Sequence, residues 1–292
     1  MTDHRVDIDG RTVAVHECGD PAGAPLIHFH GTPGSRLEAD FGAGLAERAG
    51  VRVIGFDRPG YGRSDAGPIS LAGVTRDVEV IADTLGLGRF AVSAWSGGGA
   101  FALATAAALP GRVLRVGVCG GLAPYEGRPG ARESLTPNDL DALSHLPDDP
   151  ARAAEVFRTG NSDFLDAMSS VRDDEAAPWV DWMFAASDPA VVADPDARRA
   201  LFVNFREALR RGADAIAWDN VAFVGPWGFR VEDIAAPVLL WYGDDDEIAP
   251  PDHGRWLAAH LGSAHLTVYE GEGHLLPLAH WDEMLRALTA PA

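Results

Sequence analysis

The stretch of sequence that decides the fold is Phe90-Ala91-Val92-Ser93-Ala94-Trp95-Ser96-Gly97-Gly98-Gly99. Its first residues form a mostly apolar run typical of a buried strand, and an alanine-rich helical segment follows the glycines. A side chain held on such a tight turn leaves room only for small residues two positions away, which Ala94 and Gly98 provide. The pattern predicts a strand-turn-helix unit with Ser96 at the apex of the turn.

Two interpretations of Ser96 are open from this stretch alone. In the first, its hydroxyl is a nucleophile, and the N–H groups that begin the helix stabilise negative charge developing beside it. In the second, the glycines only connect a strand to a helix, and Ser96 caps that helix. The short pattern favours the first interpretation, but many unrelated sequences match it by chance.

Composition limits the classes of protein to consider. The chain has 292 residues, enough for one large α/β domain or for a core domain with a sizeable insertion. Its net charge of −19 disfavours nucleic acid and anionic membrane surfaces as partners. No signal peptide or membrane span is evident, so we expect a cytoplasmic protein that acts on a small molecule. The oligomeric state stays open.

The sequence predicts neither a metal nor a cofactor. Cys18 and Cys119 have no second Cys or His at ligand spacing, so they fit neither a disulfide framework nor a metal site. His28 and His30 lie two apart on a predicted strand and would share one face, but no third ligand converges on them. We expect His30 instead to shape the loop that follows it.

Strands alternate with helices through the first 120 residues, and the alternation resumes near Pro237. Such alternation predicts a mostly parallel sheet with helices on both faces. The predicted strands are Arg11–Glu17, Ala24–His30, Val51–Asp57, Phe90–Trp95, Val113–Cys119, Val238–Gly243 and Leu266–Tyr269. The predicted helices of the first part are Leu37–Ala49, Leu71–Leu85 and Ala100–Leu109.

A helical insertion interrupts this alternation. Residues 124–231 show helical periodicity, with Pro and Asp residues between the helical stretches and no convincing strand. We therefore predict a core made of residues 1–123 and 232–292, with an all-helical insertion at 124–231.

The partners that a serine nucleophile needs follow the insertion. A serine hydroxyl is weakly nucleophilic at neutral pH, so a histidine must take its proton and a carboxylate must orient that histidine. A strand ends in Gly243-Asp244-Asp245-Asp246, and the next strand runs into Gly273-His274. Both segments fall at the carboxyl edge of the sheet, where open α/β sheets place their sites.

With these segments in place, the chain resembles the α/β-hydrolase superfamily over nearly its whole length. The resemblance rests on the turn at Ser96 and on motifs in the same order as in the family: His30-Gly31-Thr32-Pro33-Gly34, Phe56-Asp57-Arg58-Pro59-Gly60-Tyr61-Gly62-Arg63-Ser64, Gly243-x-x-Asp246-x-x-x-Pro250 and Gly273-His274. Ala94 stands where the family more often has Gly. The resemblance implies an α/β-hydrolase fold with about eight strands and a helical cap.

The resemblance also implies a role for each motif residue. Ser96 would be the nucleophile, His274 the general base and Asp246 the orienting carboxylate. Asp246 occupies the Gly-x-x-Asp position, so Asp244 and Asp245 are expected to be solvated loop acids. The oxyanion hole would consist of the backbone N–H groups of Thr32 and Gly97.

Substrate-binding residues are harder to predict. Trp95 is expected to form the floor of the pocket, and Leu275 one of its walls. Trp182, in the aromatic part of the cap, either lines an apolar pocket or docks the cap on the core.

The leading functional hypothesis is a cofactor-independent serine hydrolase, a carboxylesterase or lactonase. The same triad also suits carbon–carbon bond hydrolysis, a lyase reaction, or amide cleavage as in proline iminopeptidases, in which cap acids such as Asp163, Asp166 or Glu207 would hold the substrate amine. A different class of protein, a non-catalytic ligand-binding protein on a hydrolase scaffold, stays open as well.

Overall fold

A single mixed sheet forms the centre of the molecule. The computed structural model describes residues 1–42, 44–169 and 178–290. The strands are β1 Thr2–Ile8, β2 Arg11–Gly19, β3 Ala24–Phe29, β4 Val51–Phe56, β5 Phe90–Trp95, β6 Val113–Cys119, β7 Val238–Gly243 and β8 Ala264–Tyr269. They form an eight-stranded sheet in the order β1-β2-β4-β3-β5-β6-β7-β8. β1 and β2 are antiparallel, as are β2 and β4, and every other neighbouring pair is parallel.

The parallel strands are apolar because both faces of the sheet are covered. All six residues of β5, at the centre, are buried. Strands buried on two faces read as continuous apolar runs rather than as alternating patterns. The edge strand β8 is mostly half-exposed, which suits its more polar sequence. The mostly parallel α/β fold predicted from the sequence is confirmed.

Helices cover both faces of the sheet and fill the interval between β6 and β7. Their bounds are α1 Leu45–Arg48, α2 Leu71–Thr84, α3 Gly98–Ala108, α4 Pro137–Ser144, α5 Pro150–Gly160, α6 Ser162–Ser169, α7 Pro178–Phe184, α8 Pro189–Ala193, α9 Pro195–Ala208, α10 Asp214–Val224, α11 Pro251–His260 and α12 Leu276–Thr289. Short 3-10 helices lie at Arg36–Asp40, Arg132–Ser134, Leu209–Arg211 and Val231–Asp233.

Two details near the amino terminus differ from the prediction. The helix predicted over Leu37–Ala49 is wrong: a 3-10 helix and the short α1 stand in its place. Gly42 and Gly44 have φ angles of +75° and +80°, which an α-helix cannot accommodate. Strand β1 was not predicted either; its antiparallel pairing with β2 buries only Val6 and Ile8.

The inserted helical segment, α4 to α10, is tied to the core by buried polar contacts. The side-chain oxygen of Asn204 on α9 accepts hydrogen bonds from the backbone N–H and the hydroxyl of Ser35, at 2.9 and 2.8 Å. Its amide nitrogen donates to the buried carboxylate of Glu38 at 3.1 Å. Residues 170–177 of the predicted cap lie outside the described residues. None of the described helices is long and apolar enough to cross a membrane.

The buried side chain of His253 links α11 to the end of β6. Its Nδ1 accepts a hydrogen bond from the N–H of Ala123 at 2.9 Å. Burial, assisted by the charge of Arg128, lowers the pKa of His253 to about 4. In the folded protein the imidazole of His253 is therefore neutral and accepts a hydrogen bond.

This pKa predicts a pH-dependent stability. An unfolded histidine binds a proton near pH 6.5 and the folded one only near pH 4, so the stabilisation is complete above pH 6.5 and lost as the pH falls towards 4. We expect His253→Asn, which keeps an acceptor but does not titrate, to reduce this pH-dependent loss by on the order of 2 kcal/mol.

Urea unfolding at several pH values between 7 and 4 measures the effect. His265→Asn, which removes an exposed histidine from the neighbouring β8, is the control and should follow the wild-type curve. Parallel curves for His253→Asn and wild type would contradict the assignment.

Candidate active site

Ser96 lies on a strained turn between β5 and α3. Its φ angle is +53°, in the left-handed region that residues other than glycine rarely adopt. Its N–H donates to the carbonyl oxygen of Cys119 at 2.8 Å, and its own carbonyl accepts from the N–H of Gly99 at 2.9 Å. A Cβ on Gly98 would lie 2.5 Å from the carbonyl oxygen of Phe29, so the turn needs glycine there to approach β3.

The carboxylate of Asp246 and the imidazole of His274 form a buried pair. Asp246 Oδ2 lies 2.7 Å from His274 Nδ1. The other oxygen, Oδ1, accepts from the N–H groups of Ile248 and Ala249 at 2.9 and 2.8 Å. Burial opposes the charge of Asp246, but His274 and these N–H groups outweigh it and lower the pKa of Asp246 below its ordinary value. Asp246 therefore stays ionised and holds His274 with Nδ1 protonated.

The acidic run contains only one buried carboxylate. Asp244 and Asp245 are exposed, and Asp244 accepts from the N–H of Gly271 at 2.6 Å. Asp246 alone of the three lies beside His274, which is the pairing expected from its position in the motif.

Ser96 and His274 line one small cavity of about 40 Å³. Its walls are mostly apolar and come from both the core and the inserted segment: Gly31, Thr32, Pro33, Trp95, Ser96, Met183, Phe184, Phe205, Ile248 and His274. The indole N–H of Trp95 donates to the carbonyl oxygen of His274 at 2.8 Å. A cavity of this size admits a few waters or a small acyl group.

Of the expected substrate-binding residues, the structure places only Trp95 in this cavity. Trp182 is 73% exposed. Helix α7 directs Val180, Met183 and Phe184 inward, so that Trp182, like Asp181, faces outward. Trp182 therefore neither lines the cavity nor docks the segment. Leu275 is fully buried among core side chains and does not reach the cavity.

The expected oxyanion residues are neighbours in space. A Cβ on Gly97 would lie 2.6 Å from Oγ1 of Thr32, so the start of α3 and the loop after β3 are in close contact. His30 shapes this loop: its Nδ1 bonds to the carbonyl oxygen of Gly31 at 2.7 Å, and its Nε2 accepts from the N–H of Arg58 at 3.2 Å. Burial and the charge of Arg58 lower the pKa of His30 well below its ordinary value, so the ring is neutral.

His28 and His30 are occupied by protein partners. His28 bonds to Ser93 Oγ at 2.8 Å and to Glu38 Oε1 at 2.9 Å. Within the described parts of the chain, no group of three His, Cys, Asp or Glu side chains is arranged to hold a metal ion.

A buried ion pair that the sequence did not predict supports the loop after β3. Arg58 donates to the carbonyl oxygens of His30 and Gly31 at 2.6 and 2.9 Å, and it pairs with Asp219 on α10. Asp219 also accepts from the hydroxyl of Thr32 at 2.6 Å. Arg58 stands in a motif that the sequence displays, whereas nothing in the sequence around Asp219 distinguishes it from other helical acids.

The acids considered for binding a substrate amine lie elsewhere. Asp163 and Asp166 are exposed on α6, and Glu207 pairs with Arg36 and Arg63. None of these carboxylates lines the cavity.

Comparison with known proteins agrees with this architecture. A family model described as alpha/beta hydrolase fold matches residues 24–280. The chain belongs to the alpha/beta hydrolase fold family. The expected resemblance is therefore confirmed, and the protein is an alpha/beta hydrolase.

Similar proteins cover almost all of this hydrolase. A 2-hydroxy-6-oxononadienedioate/2-hydroxy-6-oxononatrienedioate hydrolase of Klebsiella pneumoniae is 26% identical over 287 residues, which are 95% of this chain and 90% of the relative. One from Cupriavidus pinatubonensis is 29% identical over 284 residues, 94% of this chain and 88% of the relative. The crystal structure of a bromoperoxidase from Bacillus anthracis superposes with a TM-score of 0.75 at 20% identity, covering 98% of both chains. At that identity the likeness shows the fold alone.

The site also depends on Gly120, which follows β6. Its φ angle is +55°, and a Cβ there would lie 3.1 Å from His274 Nδ1 and 3.3 Å from Asp246 Oδ2. A side chain at this position would press on the Asp246–His274 pair.

We predict that Gly120→Ala lowers kcat of this hydrolase by roughly 10- to 100-fold, because the added Cβ would displace the Asp246–His274 pair and a small displacement is costly if that pair acts in catalysis. Gly127→Ala is the matched control: its φ angle is +77°, with nothing within 4 Å of the added Cβ. Turnover of an activated ester by both variants measures the difference. Equal activities would show that the crowding at Gly120 has no effect on the site.

Proposed function

We propose that this alpha/beta hydrolase is a serine hydrolase that cleaves small carboxylic esters or lactones through an acyl-enzyme. The observation that carries the proposal is that His274, paired with the buried Asp246, lines the same cavity as Ser96 on its strained turn. A nucleophile, a base and an orienting acid are the parts that acyl transfer requires.

In the proposed reaction, the hydroxyl of Ser96 attacks the substrate carbonyl carbon while its proton passes to Nε2 of His274. Asp246, bonded to Nδ1, stabilises the imidazolium that forms. The N–H groups of Thr32 and Gly97 would bind the oxyanion of the tetrahedral intermediate. His274 then protonates the leaving alcohol, and water, deprotonated by the same imidazole, releases the acid from Ser96.

The inserted segment at 124–231 is proposed to act as a cap. Met183, Phe184 and Phe205 of this segment line the cavity together with residues of the core. Because the cavity is only about 40 Å³, a substrate larger than a short acyl ester requires this segment to move.

The lining favours a neutral acyl group. Within the described residues no Arg side chain lines the cavity, and the nearby Arg58 is paired with Asp219. An anionic substrate would lose its hydration without a compensating cation, and the net charge of −19 would repel it at a distance. A short, uncharged ester or lactone meets neither penalty.

Carbon–carbon bond hydrolysis is the second candidate, and the names of the relatives favour it. The substrates in those names are dienedioates, which carry two carboxylates. The same triad and oxyanion donors could serve such a reaction, but the apolar cavity offers no partner for the charges. We therefore place this candidate second.

We expect Ser96→Ala to lower hydrolysis of p-nitrophenyl acetate and butyrate by roughly 10³-fold or more, and Asp246→Asn by about 10⁴-fold. Asp245→Asn is the matched control, since this exposed neighbour does not touch His274. A fluorophosphonate probe should label wild type at Ser96 and not label Ser96→Ala. Wild-type ester turnover by Ser96→Ala would overturn the proposal, and unlabelled wild type would favour a ligand-binding protein.

A second measurement compares substrate classes. We predict a higher kcat/KM for neutral short-chain esters or lactones than for a 2-hydroxy-6-oxodienedioate, followed by loss of its absorbance. Because two charges must be desolvated, we expect the dienedioate to be at least about 100-fold poorer. The reverse order of kcat/KM would make carbon–carbon bond hydrolysis the principal activity.

A further inference from the structure

Asp188 makes an unusual use of its carboxylate. It stands at the amino end of α8, where an aspartate ordinarily accepts a hydrogen bond from its own helix, yet its side chain makes no such bond. Instead Oδ2 accepts from the N–H of His274 at 2.9 Å, and Oδ1 accepts from the N–H of Leu275 at 3.0 Å. Asp188 is buried and belongs to the inserted segment, whereas His274 belongs to the core.

The loop that carries His274 has a glycine where it contacts Asp188. A Cβ on Gly273 would lie 2.3 Å from Asp188 Oδ2 and 2.6 Å from the Cβ of Ser187. Only glycine at position 273 lets this loop and the segment at Ser187 and Asp188 approach so closely. On the other side of His274, the indole N–H of Trp95 holds the carbonyl oxygen. The backbone of His274 is thus fixed at its N–H by the inserted segment and at its carbonyl oxygen by Trp95 at the end of β5.

The same turn of the inserted segment also contacts the imidazole ring. The N–H of Asp188 donates to the carbonyl oxygen of Phe184 at 2.8 Å, which fixes the turn. The Phe184 ring lies nearly parallel to the imidazole of His274, at 2° with 6.3 Å between ring centres. Residues 184–188 therefore contact both the backbone and the side chain of one core residue.

We propose that Asp188 is a positioning residue that places His274 for catalysis, so that docking of the inserted segment completes the Ser96–His274–Asp246 arrangement. This inference rests on the proposed function. Glycines 271 and 273 leave the loop little intrinsic preference for one conformation, and the two bonds from Asp188 select the one in which Nδ1 meets Asp246.

The test is Asp188→Asn, whose amide can accept only at its oxygen and so loses one of the two bonds. We expect kcat for p-nitrophenyl acetate to fall by roughly 10- to 100-fold with KM within about twofold. Gly273→Ala should give the same pattern from the core side, and the double variant should be little worse than either single one. Full additivity, or a loss confined to KM, would overturn the positioning role.

Asp194→Asn is the matched control. Asp194 is also an aspartate of the inserted segment that accepts from two backbone N–H groups, those of Asp196 and Ala197, but it does not touch His274. We expect its kcat to match wild type. Thermal unfolding of all variants separates loss of folded protein from loss of positioning, and a kcat for Asp194→Asn as low as that of Asp188→Asn would contradict the proposal.

A measurement without substrate separates this inference from the proposed function. The Nδ1 proton shared by His274 and Asp246 should give a far-downfield proton NMR signal in wild type, absent in Asp246→Asn. We expect Asp188→Asn and Gly273→Ala to shift or broaden that signal and Asp194→Asn to leave it unchanged. If the esters are not hydrolysed but the signal responds so, the proposed function fails and the positioning holds; an unchanged signal in Asp188→Asn refutes the positioning alone.

Discussion

The left-handed backbone of Ser96 is the constraint on which the rest of the site depends. At a φ angle of +53° the chain leaves β5 and enters α3, and the half-buried serine side chain lines the cavity. This conformation is costly for a residue with a side chain, and it persists because neighbouring strands hold it. The carbonyl of Cys119 on β6 binds its N–H, and Gly98 permits contact with β3.

Buried polar and charged side chains hold the inserted segment on the core. Arg58 and Asp219 are both fully buried and form an ion pair, while Arg58 also donates to the carbonyl oxygens of the loop after β3. Removing one partner from such a pair leaves an uncompensated buried charge, so the two depend on each other. Two further buried hydrogen bonds join the segments: Asn204 donates to Glu38, and Asp188 accepts from the N–H of His274. The inserted segment is thus part of the support of the site as well as its cover.

Local sequence patterns were sufficient where the physics is local. The apolar run before Ser96 and the small residues around it predicted the strand-turn-helix unit, and the strand-helix alternation predicted the mostly parallel sheet. The helix predicted over Leu37–Ala49 was wrong because Gly42 and Gly44 adopt left-handed backbone angles that interrupt an α-helix. Asp246 could be chosen over Asp244 and Asp245 by its place in a family motif, and its burial beside His274 agrees with that choice.

By itself, the sequence determined the fold class, the alternation of strands and helices in most of the core and the identity of the motif residues, because these depend on periodicity and on turns of a few residues. Only the tertiary structure decided that Met183 and Phe184, rather than Trp182, line the cavity, since a helix as short as α7 gives no local sign of which face meets the core. The same is true of Asp188 and Asp219. Their partners lie 86 and 161 residues away along the chain, and distant contacts leave no periodic trace in a single sequence.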